Sequence, residues 1–129
     1  NRRKALVVGI NKYTNGIPTL KNAASDAWAM ADMLSSMGYE VTVIIDCMKF
    51  AFDAAVRSFI DSLGPDVASS VFFFAGHGCE YQNQNYLMTS SSCSGGCHDL
   101  TQNAVNVHHL QGEMENSKCL FPALILDCC

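Results

Sequence analysis

A histidine held between two glycines follows one strongly apolar stretch of this sequence, and an acid with two thiols follows another. The first stretch, residues 71–75, continues as Gly76-His77-Gly78, and the second, residues 120–126, continues as Asp127-Cys128-Cys129. An imidazole can take the proton of a thiol, and the resulting thiolate is a strong nucleophile. If the two stretches are parallel neighbouring strands, His77 meets one of the thiols at the carboxyl edge of a sheet, where open α/β sheets bind ligands.

Neither half of this pattern is specific by itself. A single histidine after a strand is more often a hydrogen-bonded structural residue, and a Cys-Cys pair on an apolar strand is usually part of the core. The two halves together, each at the end of a predicted strand, favour nucleophilic catalysis over these structural interpretations. Gly76 and Gly78 are expected to let the backbone turn tightly and to leave His77 accessible to a substrate.

Strand and helix patterns alternate along the rest of the chain. Buried-strand composition predicts four strands, at residues 4–10, 39–45, 71–75 and 120–126. Helical spacing of apolar residues predicts helices at 24–37, 50–63 and, more weakly, 103–114, with a short extended piece at 85–88. Such alternation predicts an α/β fold, a three-layer sandwich with a mainly parallel sheet.

Apolar residues at helical spacing predict which faces of the first two helices lie on the core. In the first helix they are Ala24, Ala27, Trp28, Ala31, Leu34 and Met37. In the second helix they are Phe52, Val56, Phe59, Ile60 and Leu63.

Length and composition indicate one globular domain over residues 1–129. The chain is 49% hydrophobic and 16% charged, and its net charge of -4 disfavours nucleic acid as a partner. No apolar run approaches the length of a membrane span, so no membrane segment is expected. Seven cysteines are an odd number for a disulfide framework, and they are interpreted as mostly reduced thiols in the cytosol or nucleus, with a cytoplasmic location predicted. An oxidising compartment with one cysteine left over is the alternative.

Four pieces of the sequence resemble the caspase-like cysteine peptidases, and the paracaspase and metacaspase branches more than true caspases. They are KALVVGINKY in the first strand, Leu20-Lys21-Asn22 followed by Asp26, FFFAGHGCE, and LILDCC. Their order matches the large-subunit, p20-like half of that family, and the interval from His77 to Cys129 is close to the roughly 50 residues typical of caspases. The alanine of FAGHG is closer to paracaspases, whereas the Asp-Cys-Cys ending looks more like metacaspases.

The resemblance implies a cysteine-type endopeptidase that forms an acyl-enzyme, with Cys129 as nucleophile and His77 as base. It assigns the other site residues as well, namely the Gly78 and Cys129 amides to the oxyanion hole and Asp26, Asp127 and Ala75 to substrate binding. Cys128 is expected to point the other way from a strand-like backbone and to be packed or inert. No third catalytic group is evident in the sequence.

The charge of the predicted substrate pocket bears on specificity. Two carboxylates converging on one pocket would repel an acidic side chain and pair with a guanidinium, so cleavage after arginine, and then lysine, is expected. Asp26 alone has a simpler explanation, because an acid in the first turn of a helix is favourable anyway. That explanation does not extend to Asp127, beside the predicted nucleophile.

No metal or other cofactor is predicted. Cys93, Cys97 and His98 are residue types that bind zinc, but no second ligand pair follows them at a regular interval. Asp99 is the only acid near them, too few for a calcium cage. Some metacaspases require calcium, and this sequence gives no support for carrying that requirement over.

The predicted partners are protein or peptide substrates with a basic residue at the cleaved position, and a C-terminal small-subunit segment. That segment is expected because a sheet ending at residues 120–126 would leave this strand as an unpaired edge, so further strands are expected C-terminal to it. A homodimer is left open. Two other functions are left open as well: a non-catalytic caspase-like scaffold for signalling partners, and another histidine–cysteine peptidase of legumain-like or gingipain-like type.

Overall fold

Four parallel strands form the central sheet of the protein, seen in a computed structural model that describes residues 2–14, 16–92 and 102–128. Strands are numbered along the chain, and their order across this sheet is β2 (Glu40–Ile45), β1 (Arg2–Gly9), β3 (Val67–Gly76) and β7 (Phe121–Cys128). Every neighbouring pair is parallel. The predicted parallel core is therefore confirmed, and β3 is longer than the sequence indicated.

Helices cover both faces of this sheet, which makes the predicted three-layer sandwich. Helix α1 (Ala23–Ser36) packs on one face, and α2 (Lys49–Asp61) and α3 (Val107–Glu115) pack on the other. Alternate residues of β3 face the two layers, with Val71, Phe73 and Ala75 on the α1 side and Phe72 and Phe74 on the opposite side. Because both faces are covered, β3 shows the unbroken apolar run that predicted it.

Helix α1 lies close to the sheet because its inner face is built from small residues. Its buried positions, four residues apart for three of them, are Ala23, Ala27, Ala31 and Leu34. On the sheet, the residue opposite Ala27 is Gly9, where an added Cβ would lie 2.6 Å from the Cβ of Ala27. The prediction that Trp28 and Met37 also face the core is wrong, since both are 53% exposed. Three of the four buried positions are alanine, and the larger Trp28 and Met37 side chains fall outside this narrow stripe.

Helix α2 buries the stripe predicted for it. Phe52, Val56 and Phe59 are buried, Leu63 just beyond the helix is buried too, and Ile60 packs partly buried at the edge. The rings of Phe72 and Phe74 each lie 6.1 Å from the ring of Phe52. This face of the sheet therefore carries two phenylalanines of β3, whereas the α1 face combines Phe73 with Val71 and Ala75.

A second, antiparallel sheet follows β3 and was only partly predicted. It contains β4 (Gly78–Tyr81), β5 (Gln84–Met88) and β6 (Ala104–Asn106). The expected short extended piece corresponds to β5, whereas β4 was not predicted. Gln82 and Asn83 join β4 to β5 in a two-residue turn with φ values of 50° and 63°. Turns of this kind usually have the sequence Asn-Gly. Without that glycine the turn gave no clear signal in the sequence.

The helix predicted over residues 103–114 begins later than expected. Ala104–Asn106 pair with β5 as strand β6, and the helix starts at Val107. The Asn106 side chain accepts a hydrogen bond from the His109 amide at 3.1 Å, which fixes the helix start at this point. Strand pairing and the cap together outweigh the helical spacing of the preceding residues.

None of the described helices is long and apolar enough to cross a membrane.

Replacing Gly9 with alanine should destabilise the protein, because the new methyl group would press on Ala27 and on the Ala23 carbonyl oxygen, 2.9 Å away. We expect a loss of about 1–3 kcal/mol in the free energy of unfolding, measured by urea denaturation. The control is Gly112→Ala in α3, where an added Cβ meets nothing within 4 Å. It should gain about 0.5–1 kcal/mol, because alanine is the better helix former. Equal effects of the two substitutions would contradict the close seating of α1.

Candidate active site

The register between β3 and β7 brings the two predicted catalytic motifs to one edge of the sheet. Ala75 pairs with Asp127, and Gly76 pairs with Cys128. His77 follows the last paired residue of β3, and Cys129 follows the last described residue of β7. The prediction that these strands are neighbours is confirmed, whereas Cys129 itself lies outside the described residues.

His77 is held by hydrogen bonds at both ends of its backbone unit. Its amide donates to the hydroxyl of Tyr13 at 2.8 Å, and its carbonyl accepts from the Met88 amide at 2.9 Å. The Tyr13 and His77 rings meet edge to face, with centroids 4.7 Å apart. The histidine therefore sits in a fixed backbone frame, with one side of its ring covered.

The imidazole has a defined partner that the sequence did not reveal. Nε2 of His77 lies 2.8 Å from the carbonyl oxygen of Pro18. A carbonyl can only accept, so Nε2 carries the proton and Nδ1 is left as the acceptor. A nitrogen that can take a proton is what a general base requires. Every residue has a carbonyl, so no pattern of side chains could have marked this one.

Glycine is favoured at positions 76 and 78 because neighbouring atoms leave little room for a side chain, and not because the chain turns tightly there. Among the described glycines only Gly16 and Gly38 have positive φ, so the expected sharp turn at Gly-His-Gly is wrong. The chain instead passes from β3 into β4 with His77 between them. A Cβ at Gly76 would lie 2.6 Å from the Tyr13 hydroxyl, and one at Gly78 would lie 3.1 Å from the Cβ of Cys128. Each glycine admits a specific neighbour.

The hydrogen-bond pattern of the β4–β5 hairpin directs the Gly78 amide. Residues in an antiparallel pair alternate between hydrogen-bonded and non-hydrogen-bonded positions. The bond between the Met88 amide and the His77 carbonyl marks a hydrogen-bonded position, so the next pair, Gly78 with Leu87, is non-hydrogen-bonded. The Gly78 amide therefore points away from β5. This orientation is compatible with the predicted oxyanion hole, whose other member, the Cys129 amide, is outside the described residues.

The predicted substrate residues lie on the α1 side of the sheet. Asp127 is paired with Ala75, and paired residues of parallel strands face the same way, so both are on the side covered by α1. Asp26 is exposed in the first turn of α1. In the part of the chain that the structure describes, neither acid forms an ion pair. Ala75 is only 1% exposed and packs with the alanines of α1, so its side chain is not accessible to a substrate.

Cys128 lies on the opposite side of the sheet from Asp127. It is exposed rather than packed, which corrects the expectation for this residue. With Leu126 and residues of the hairpin, including Gly78 and Tyr86, it lines a groove of about 380 Å³. Val107, the first residue of α3, lines the same groove, and the Cys128 side chain stays at its surface.

Hydrogen bonds to Asp46 hold the loop that follows β1 at the site. Oδ1 of Asp46 accepts from the amides of Asn11 and Lys12 at 2.8 and 3.0 Å, and the Ile10 amide donates to the Ala75 carbonyl at 2.9 Å. Asp46 has a φ of 55°, the left-handed region that Asp tolerates better than most residues. These bonds fix the loop that carries Tyr13. Sequence reasoning assigned a role to neither residue, although Tyr13 closes the KALVVGINKY piece.

No cluster of metal-binding side chains occurs among the residues that the structure describes. Cys93, Cys97, His98 and Asp99, whose spacing gave no support for a metal, lie outside those residues.

Comparison with known proteins identifies the family. Residues 2–129 match the caspase domain, and the chain belongs to this family of cysteine peptidases. Among solved structures it is similar to the Drosophila initiator caspase Dronc, with a TM-score of 0.76 at 14% sequence identity. That match covers 98% of this chain and 48% of the Dronc chain, so the chain spans about half the length of the caspase it resembles. No curated protein sequence matches it.

The buried thiol of Cys47 should resist alkylation in the folded protein. Burial, with a smaller contribution from the negative charge of Asp46, raises its pKa to about 11, so its reactive thiolate is nearly absent at pH 8. Iodoacetamide at pH 8 followed by mass spectrometry should modify the exposed Cys128 and spare Cys47. Labelling of Cys47 should begin only as the pH approaches about 11. In urea both should react, and equal native rates at pH 8 would contradict the assignment.

Proposed function

We propose that this chain is the p20-like part of a cysteine endopeptidase that uses His77 as base and Cys129 as nucleophile. The observation that supports it most is the environment of His77. Its Nε2 is occupied by the Pro18 carbonyl, which leaves Nδ1 as the acceptor. His77 directly follows Gly76, the β3 residue that pairs with Cys128 at the end of β7, so the base is carried on the strand next to the one that delivers the thiol.

The proposed reaction has two halves. Cys129 gives its proton to Nδ1 of His77, and the thiolate sulfur forms a bond to the carbonyl carbon of the scissile peptide. The oxyanion that develops accepts hydrogen bonds from the Gly78 and Cys129 amides. The carbon–nitrogen bond then breaks, His77 returns the proton to the leaving amine, and an acyl-enzyme remains. Water, deprotonated by His77, attacks the thioester, and the thiol is restored as the acid product leaves.

The Pro18 carbonyl supports this cycle in two ways. It fixes the tautomer in which Nδ1 is basic, and it accepts a charge-assisted hydrogen bond once the imidazole is protonated. A backbone acceptor does this without adding a carboxylate next to the thiolate. It takes the place of the third catalytic group that the sequence did not reveal.

The remainder of the enzyme is proposed to cover β7. In the described part of the chain β7 has a strand partner on one side only, and the large side chains of Leu120, Phe121 and Ile125 are exposed, Phe121 by 72%. A C-terminal small-subunit segment would pair with this edge and bury those side chains. We propose the paracaspase or metacaspase type, a cytoplasmic location and no cofactor, and a homodimer is left open.

The dyad is tested in the complete protein with a fluorogenic peptide. Cys129→Ala and His77→Ala should each abolish turnover, because the nucleophile and its base act as a unit. Cys128→Ala is the matched control and should keep most of the activity, since its thiol lies on the groove side. An active Cys129→Ala with an inactive Cys128→Ala would place the nucleophile one residue earlier. A complete wild-type protein that neither turns over nor reacts with an electrophilic peptide probe would favour the non-catalytic scaffold.

Specificity is proposed to come from acids on the α1 side of the sheet. Asp127 stands at the end of β7 on that side, and Asp26 stands at the start of the helix that covers it. Neither forms an ion pair among the described residues, so both carboxylates can pair with a substrate cation. Arginine presents a planar fork of donors and is favoured over lysine, which offers a point charge.

A panel of peptides that differ only at the cleaved position tests this assignment. The complete enzyme should prefer arginine to lysine and should cleave after aspartate poorly or not at all. Asp127→Asn should lower the preference for arginine over a neutral residue by about tenfold or more, because it removes one partner of a charge pair. Asp32→Asn, an exposed acid further along α1, is the control and should leave the preference unchanged. Efficient cleavage after aspartate would contradict the specificity while leaving the dyad intact.

A further inference from the structure

We propose that Tyr13 is the positioning residue for His77 and that its hydroxyl, inserted into the strand ladder, holds the imidazole in its reactive orientation. This inference rests on the proposed function, since it concerns the same histidine. Tyr13 does not touch a substrate in this proposal. It acts through His77 alone.

The hydroxyl of Tyr13 replaces one bond of a regular antiparallel ladder. At a hydrogen-bonded position the two residues exchange both of their backbone bonds. His77 and Met88 make only one of them directly, from the Met88 amide to the His77 carbonyl at 2.9 Å. The other is carried by Tyr13, whose hydroxyl accepts from the His77 amide at 2.8 Å and donates to the Met88 carbonyl at 3.2 Å. A hydroxyl has one proton to donate, so both of its roles are fixed here.

The surroundings of the hydroxyl are built around it. Gly76 leaves the space that the hydroxyl fills, because a Cβ there would lie 2.6 Å from the hydroxyl oxygen. The tyrosine is 7% exposed, and the Asp46 carboxylate anchors its loop through the amides of Asn11 and Lys12. The hydroxyl thus comes from a fixed loop and enters a space kept open by a glycine.

Two contacts from the loop after β1 then define the imidazole. The Tyr13 ring meets it in an edge-to-face arrangement at a centroid distance of 4.7 Å, and the Pro18 carbonyl, from the same loop, accepts from Nε2 at 2.8 Å. Moving the His77 backbone by a fraction of an ångström would lengthen the bond to Pro18, and the ring would then be free to adopt the other tautomer. The hydroxyl of Tyr13 prevents that movement.

Tyr13→Phe in the complete protein tests the proposal, because it removes the hydroxyl and keeps the ring. We expect kcat for the preferred peptide to fall by about 10- to 100-fold with little change in KM, since small misplacements of a catalytic group cost rate rather than binding. The matched control is Tyr39→Phe, which removes a hydroxyl bonded to Ser69 Oγ at 2.7 Å near the amino end of the sheet. It should lower the melting temperature comparably and leave kcat unchanged. Equal effects of the two variants on kcat would overturn the proposal.

A second measurement does not depend on turnover. Nitrogen NMR of protein labelled in its histidines should show the Nε2-protonated tautomer of His77 in the wild type and a mixture of tautomers in Tyr13→Phe. An unchanged tautomer together with unchanged kcat would show that the hydroxyl has only a structural role. A wild-type protein without turnover would contradict the proposed function, and the NMR comparison would still decide the role of Tyr13.

Discussion

The pairing of β3 with β7 is the constraint on which the candidate site depends. With Gly76 opposite Cys128, the acid at Asp127 faces α1, and β3 and β7 end side by side at one edge of the sheet. A slip of one residue would exchange the faces, putting Cys128 under α1 and Asp127 into the groove beside the hairpin. The chemistry proposed for this edge therefore depends first on the register of β3 and β7, because the register decides which side chains face each other.

The position of β3 in the sheet is fixed by different packing partners on its two faces. Phe72 and Phe74, both fully buried, fit against Phe52 of α2, whereas Ala75 and Gly9 fit beneath the alanines of α1. A shift of β3 by one residue would turn Phe72 and Phe74 toward α1 and would bring Val71, Phe73 and Ala75 against α2. Close-packed interiors tolerate neither overpacking nor empty space, so a shift would be opposed from both sides.

Much of this arrangement was predictable because it follows from the periodicity of apolar residues. The four parallel strands, α1 and α2 correspond to runs and stripes that any buried strand or amphipathic helix must show. The short strands β4 and β6 do not, because the turn that joins β4 to β5 lacks glycine and β6 pairs with a strand well before it in the chain. Helix α1 shows a different limit, since spacing alone counted Trp28 as part of the core, whereas the buried face of this helix is mostly alanine.

The candidate site likewise contains residues that the sequence could identify and contacts that it could not. His77 and Asp127 could be found from their types and positions, because strand ends collect functional side chains. The Pro18 carbonyl, the direction of the Gly78 amide and the bridge made by Tyr13 could not, because each is a relation between backbone groups that folding alone creates. The Gly-His-Gly motif illustrates this, since its two glycines read as flexibility in the sequence. In the structure they are two contacts on either side of the histidine, one admitting a hydroxyl and the other admitting the end of a strand. The motif is thus a steric requirement of a rigid site, and rigidity is what a base aimed by a single carbonyl needs.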